Sequence, residues 1–167
     1  SNATTIDNTP FQGGDFVLTQ TLGANLDTND QRGFKFTVGV DPITITELGL
    51  WILGNAGGQY SASLAVKIYN LAGAELATAN VDTTGSVGQY KFTVLGAPLN
   101  LLANTAYYCM TQSLAFNTIK NSATIATSTA PSATINDSVY GAAPVFSLDG
   151  NGANHLYGPT NFVWNYT

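Results

Sequence analysis

The chemistry this chain could perform is bounded by very few residues: one histidine, one cysteine, two glutamates and eight aspartates in 167 positions. A serine–histidine–aspartate triad would have to use His155, with Asp149 six residues upstream, and no Gly-x-Ser-x-Gly elbow precedes it. One histidine and one cysteine make a transition-metal site within one chain an unfavourable reading. Cys109 stands in Tyr107-Tyr108-Cys109-Met110, among bulky residues, where a buried and inert thiol is expected, because a reactive thiolate needs an electropositive neighbourhood. Glycoside hydrolysis needs two carboxyl groups about 5–9.5 Å apart. Glu47 and Glu75 are the only glutamates, and most aspartates stand at turn positions, where Asp caps its own backbone.

Two other chemistries fit the residue types better. Hard cations want clustered oxygens, so Asp27, Asn29 and Asp30 are the candidate ligands of a structural calcium. The EF-hand template fails there, since the twelfth position from Asp27 is Val38. Apart from such an ion, no cofactor is expected. Sugar recognition needs a flat ring to cover the apolar face of a pyranose, with Asn or Asp to hydrogen-bond its hydroxyls. Tyr60, Tyr140, Asn151, Asn154, His155 and Tyr157 stand in or near loop chemistry and form the candidate ligand-binding set. Trp51 and Trp164, inside apolar strands, are expected in the core.

The elements that must position these residues are strands. Helical periodicity is almost absent, and alternation dominates. Phe34, Phe36, Val38 and Val40 share one face, and Asp41-Pro42 ends that strand. Ile43 and Ile45 alternate with Thr44 and Thr46. After Glu47 the run Leu48 to Leu53 is apolar on both faces, which predicts a central strand and a bulge at the phase change. Further strands are expected at Ser61–Tyr69 with Leu64, Val66 and Ile68 inward, at Glu75–Val81 antiparallel to it, around Tyr90, Phe92 and Val94, at Thr105–Gln112, and at Phe162–Tyr166. Residues 113–160 carry weaker signals, with Ile119 and Ile125 marking a strand or two. Turn signals every 8–15 residues give the fold class: all-β, an antiparallel β-sandwich of jelly-roll or immunoglobulin/fibronectin-like type. Ser1-Asn2-Ala3 reads as the scar of a removed expression tag, and 4–167 as a single domain.

Composition excludes some partners. Charged residues are 9% and the net charge is −5, so five scattered Lys and Arg cannot build the basic patch that nucleic acid requires. No stretch approaches the ~20 apolar residues of a spanning helix, and membrane insertion is not expected. Polarity comes instead from 22 Thr and 16 Asn.

From Gly33 to Gln112 the order of motifs is informative. It runs Ile43-Thr44-Ile45-Thr46-Glu47-Leu48-Gly49-Leu50-Trp51, Val66-Lys67-Ile68-Tyr69, Ala72-Gly73-Ala74-Glu75-Leu76-Ala77-Thr78-Ala79, Gly88-Gln89-Tyr90, then Pro98-Leu99-Asn100-Leu101-Leu102-Ala103-Asn104-Thr105-Ala106-Tyr107. This resembles a family of bacterial extracellular β-sandwich domains of unknown function. The resemblance implies a sandwich fold and a secreted or cell-surface location, and it supplies no catalytic residues.

The expected function is therefore a non-enzymatic module that binds glycan or a surface protein, or a structural unit of a larger bacterial surface protein. The alternatives are an enzyme on polysaccharide and a purely architectural spacer. Binding requires a solvent-facing aromatic near Asn or Asp side chains, and a hydrolase requires two carboxylates across a cleft. A spacer needs neither.

Overall fold

The structure, a computed structural model, describes residues 13–53, 63–111, 117–120, 123–128, 133–152, 157 and 160–167. Fourteen strands run through them: β1 Gly14–Asp15, β2 Val17–Thr21, β3 Asn25–Thr28, β4 Gln31–Thr37, β5 Ile43–Trp51, β6 Ser63–Asn70, β7 Glu75–Asp82, β8 Tyr90–Leu101, β9 Ala106–Thr111, β10 Asn117–Lys120, β11 Thr124–Thr127, β12 Thr134–Ala142, β13 Val145–Leu148 and β14 Thr160–Tyr166. A four-stranded sheet has the order β1-β14-β5-β8, and a six-stranded sheet the order β13-β12-β4-β9-β6-β7. β10 pairs with β3 and β11 with β2 as separate ribbons. Every pairing is antiparallel, so the chain is all-β and sandwich-like.

The core lies between the two sheets. Leu64, Val66 and Ile68 of β6 meet Leu48 and Leu50 of β5, with Phe34 and Phe36 from β4 and Phe162 and Trp164 from β14. Phe16 stacks on Phe162 with ring centroids 4.6 Å apart, and Phe36 touches Phe162 at 5.0 Å. Burying side chains of this size contributes about 1.5–3 kcal/mol each. Val40 departs from the expected pattern and is 73% exposed, because β4 ends at Thr37 before the alternation does.

Polar contacts close the two long sides. On one, Thr93 Oγ1 of β8 donates to the Asn80 carbonyl of β7 (2.9 Å) and Lys91 pairs with Asp82 (3.1 Å). On the other, buried Asn161 imitates a strand partner: its Oδ1 accepts from the Val17 N–H (2.8 Å) and its Nδ2 donates to the Val17 carbonyl (2.9 Å). An amide can do this because it presents one donor and one acceptor, as a peptide group does.

The two sheets differ on their outer faces. The β12–β13 hairpin lies against the six-stranded sheet, where Phe146 contacts Tyr69 and Tyr108 edge-on (5.0 and 5.2 Å) and Met110 and Val139 are buried beside them. The backbone of Pro144 reaches the β6–β7 turn so closely that only a glycine fits at Gly73. Among the described residues, nothing equivalent covers β5 and β8 of the four-stranded sheet.

Candidate functional site: an aromatic row on the open sheet face

The open face exists because of one extra residue. Ile43 and Ile45 point into the core, and the ladder to β14 and β8 then skips Thr46. That bulge reverses the parity, so Leu48 and Leu50 continue the core while Glu47, Gly49 and Trp51 turn outward. The bulge is the one read from the phase change at Glu47. Trp51, expected in the core, is instead half-buried on the outer face.

Register sets its neighbours. Tyr90 stands opposite Trp51, Phe92 opposite Gly49, and Val94 opposite Glu47. Trp51 and Tyr90 meet edge-to-face at 5.0 Å and 82°, and Tyr90 leans on Phe92 at 6.0 Å. The Phe92 ring lies over Gly49: a Cβ there would stand 2.4 Å from Cε1 and 2.5 Å from Cδ1. Glycine leaves room for the Cδ1–Cε1 edge of the ring against bare backbone, a cross-strand pairing that also fixes register. All three rings are half-buried, each with part of its surface open to solvent. The Trp51 Nε1–H finds no acceptor among the described residues, so packing holds the indole.

The next row along the face is acidic. Glu47 is opposite Val163, and Val163 is opposite Asp15 on its other side. Partial burial pushes the Asp15 carboxyl above its ordinary value. Farther along, Thr44 Oγ1 donates to Asn100 Oδ1 (2.7 Å), and Asn165 Oδ1 accepts from the Gly13 N–H (2.7 Å). The face thus offers rings at one end, two carboxylates in the middle and amides at the other.

Several residues singled out from sequence meet elsewhere, around Arg32. Its guanidinium carbon sits 4.9 Å from the Tyr140 ring and 4.6 Å from the Tyr157 ring, while Nε donates to Asp30 Oδ1 at 2.7 Å. Tyr140 is there because β12 pairs with β4 in the register that puts it opposite Arg32. Tyr157 Oη donates to Asp149 Oδ1 (3.0 Å), and Asn151 Nδ2 donates to the other oxygen of the same carboxylate. The Gly150 N–H is held by buried Asp137 (2.9 Å). Tyr157, expected at the surface, is 7% exposed. Burial and then the bond to Asp149 push its phenol up to about 12. The group therefore works as a clasp fastening Asp149, Gly150, Asn151 and Tyr157 to β4 and β12. Tyr60, Asn154 and His155 lie outside the described residues.

The calcium candidates divide likewise. Asp27 falls in β3 opposite Thr118, and Asn29 is exposed. Asp30 already holds Arg32, which offsets the charge a cation would seek. Among the described residues no three His, Cys, Asp or Glu side chains group closely enough to hold a metal ion. Cys109 is fully buried, with its thiol pushed up to about 12 by desolvation. A cavity of about 290 Å³ opens between Asp41, Pro42, Tyr166 and Thr167, at the opposite end of β5 from Trp51.

Fold and site together define a sandwich-like antiparallel β-fold with one outer face covered and the other left open by the described residues. Compared with protein-family models, with curated proteins and with solved structures, the chain matches none.

Proposed function

We propose that this chain is a non-catalytic recognition module, working outside the cell, and that its open sheet face binds glycan. The observation that carries the reading is Phe92 lying on Gly49 between Trp51–Tyr90 and the Glu47–Asp15 row. A half-buried ring seated against glycine keeps part of its surface open to an apolar sugar face, and the neighbouring oxygens suit hydroxyls. Few surface charges, abundant Thr and Asn, and a thiol kept from oxidants by burial support an extracellular setting.

The test is binding of the intact chain to an array of glycans and to soluble polysaccharides in affinity electrophoresis. The reading expects retardation by at least one glycan, weakened tenfold or more by Phe92→Ala while the melting temperature stays above the assay temperature. Wild-type protein that binds no glycan at high micromolar concentration would end it.

A polysaccharide-cleaving alternative would have to use Asp15 and Glu47 on this face. Two strand spacings separate their Cα atoms by roughly 10 Å, on an open surface with no wall among the described residues to exclude water. No polysaccharide cleavage by wild type, or cleavage retained by an Asp15→Asn, Glu47→Gln double variant, would remove that alternative.

A further inference from the structure

We infer that the open sheet face selects by charge, taking glycans that carry free amino groups, of the polyglucosamine type, over their N-acetylated or carboxylated counterparts. This deepens the glycan reading and rests on it.

Two independent features of the face favour an ammonium group. The first is the aromatic row itself, since Trp, Tyr and Phe rings attract cations to their faces through the ring quadrupole. The second is the pair of carboxylates one row away, Glu47 and Asp15, which flank Val163 on the same side of the sheet. Along a strand that row lies roughly 6.8 Å from Phe92, so a chain of sugars stacked on the ring carries its next substituents over acid. Neither carboxylate takes an ion pair among the described residues; the three pairs there use Asp30, Glu75 and Asp82.

Among the described residues, nothing cationic shares the face. Arg32 and Lys35 belong to β4 and Lys67 to β6 of the opposite sheet. Lys120 falls in the β10–β3 ribbon. Lys91, on β8 itself, has the opposite parity to Tyr90 and Phe92, and its Nζ donates to Asp82 Oδ2 (3.1 Å) and the Thr84 carbonyl (2.6 Å). A carboxylated or sulfated polymer would meet two like charges and no counter-charge. A neutral polymer would offer the carboxylates hydroxyl donors but no charge to balance them. The raised proton affinity of Asp15 has the same origin, a carboxylate partly withdrawn from water without a cation to compensate it.

The experiment is titration calorimetry of the whole chain at pH 6 with a glucosamine oligomer, the matching N-acetylglucosamine oligomer and an oligogalacturonate. The proteins are wild type, Asp15→Asn with Glu47→Gln, and Phe92→Ala. The expected result is that wild type binds the free-amine oligomer about fivefold more tightly than the N-acetylated one, the scale of two solvent-exposed ion pairs, and the oligogalacturonate not at all. The double carboxylate variant should lose that preference and keep the affinity for the N-acetylated oligomer, while Phe92→Ala weakens both.

Equal affinity for the two oligomers in wild type, or a preference that survives the double variant, overturns the charge inference and leaves glycan binding intact. Free-amine binding untouched by Phe92→Ala shows mere ion exchange and overturns it too. Wild type that binds none of these three oligomers but does bind some other glycan overturns the inference alone, and no binding to any glycan overturns both readings.

Discussion

If Phe92 lies on Gly49, the two positions must be energetically coupled, and the coupling can be worked from the contact. A methyl group at Gly49 would fall 2.4 and 2.5 Å from two ring carbons, inside any real contact distance. The ring is the far end of a flexible side chain, so it can swing away, but it then leaves the backbone it covered. Forced repacking of this kind costs typically about 1–3 kcal/mol. Replacing glycine by alanine in a strand returns about 0.5–1 kcal/mol of backbone entropy. Gly49→Ala should therefore destabilise wild type by about 1–2 kcal/mol.

With Phe92→Ala already in place the obstructing atoms are gone. The remaining close neighbour of the new Cβ is the Lys91 carbonyl oxygen at 3.2 Å. There Gly49→Ala should be neutral, or stabilising by a few tenths of a kcal/mol, giving a coupling of about 1–2 kcal/mol in the double-mutant cycle. Urea unfolding followed by tryptophan fluorescence measures all four corners, and unchanged m-values are needed for the comparison. If Gly49→Ala costs the same in both backgrounds, within about 0.5 kcal/mol, the ring does not rest on the glycine and does not form a platform there. The single Gly49→Ala variant should also bind glycan more weakly with its fold intact, since it tilts the ring without removing it.

Other consequences follow from the same geometry. Gly73→Ala puts a Cβ 2.0 Å from the Pro144 carbonyl oxygen at φ +81°, against backbone that cannot yield, so it should cost at least about 2 kcal/mol; Gly96→Ala, with nothing within 4 Å, should lie within about 0.5 kcal/mol of wild type in the same urea assay. Cys109 should stay unmodified by a thiol reagent at pH 8 in the native state and react fully in denaturant, because burial pushes its thiol up to about 12. Tyr157 is raised from 10.0 to about 12, first by burial and then by its bond to Asp149. Its neutral form thus contributes stability that is complete below pH 10 and lost as pH rises through about 12. Wild type should accordingly lose more urea resistance than Tyr157→Phe between pH 9 and 11.5, and parallel losses would contradict the clasp.

Alternation in the sequence shows which residues share a face, but not which face is the core. Phe34 and Phe36 alternate and are buried; Tyr90, Phe92 and Val94 alternate just as cleanly but share the side of Trp51, Gly49 and Glu47, with Val94 70% exposed and Tyr90 only partly packed on the core. The difference comes from their partners. Phe34 and Phe36 lie on the inner side of a six-stranded sheet, whereas Tyr90 and Phe92 take their side from β5. Where β5 is apolar on both faces its own parity is hidden, so the break at Glu47 is legible and its consequence for Trp51 is not. The 113–160 region was weak for a related reason. β12 is built from Thr-Ile-Asn-Asp-Ser-Val-Tyr, whose inward positions include Ser138, buried in spite of its hydroxyl. The meeting of Arg32, Tyr140 and Tyr157 depends on the β12–β4 register, which no local pattern encodes.

The core and the candidate site are consequently two outcomes of one register decision. Pairing Thr46 in a regular ladder, without the bulge, would send either Leu48 and Leu50 outward or Ile43 and Ile45 outward, because a one-residue slip exchanges the faces of everything beyond it. The first outcome would carry Glu47 and Trp51 toward the core. The bulge keeps four aliphatic side chains inside on both sides of the slip, and in doing so places an acid, a bare backbone and an indole along the exposed side. Phe92 then covers the bare backbone. A bulge needed only for the core would be equally well served by threonine or valine at those outward positions, which suit a half-exposed strand. Glycine under a phenylalanine, beside an edge-on Trp51–Tyr90 pair and a glutamate with no ion pair among the described residues, is not explained by the core alone.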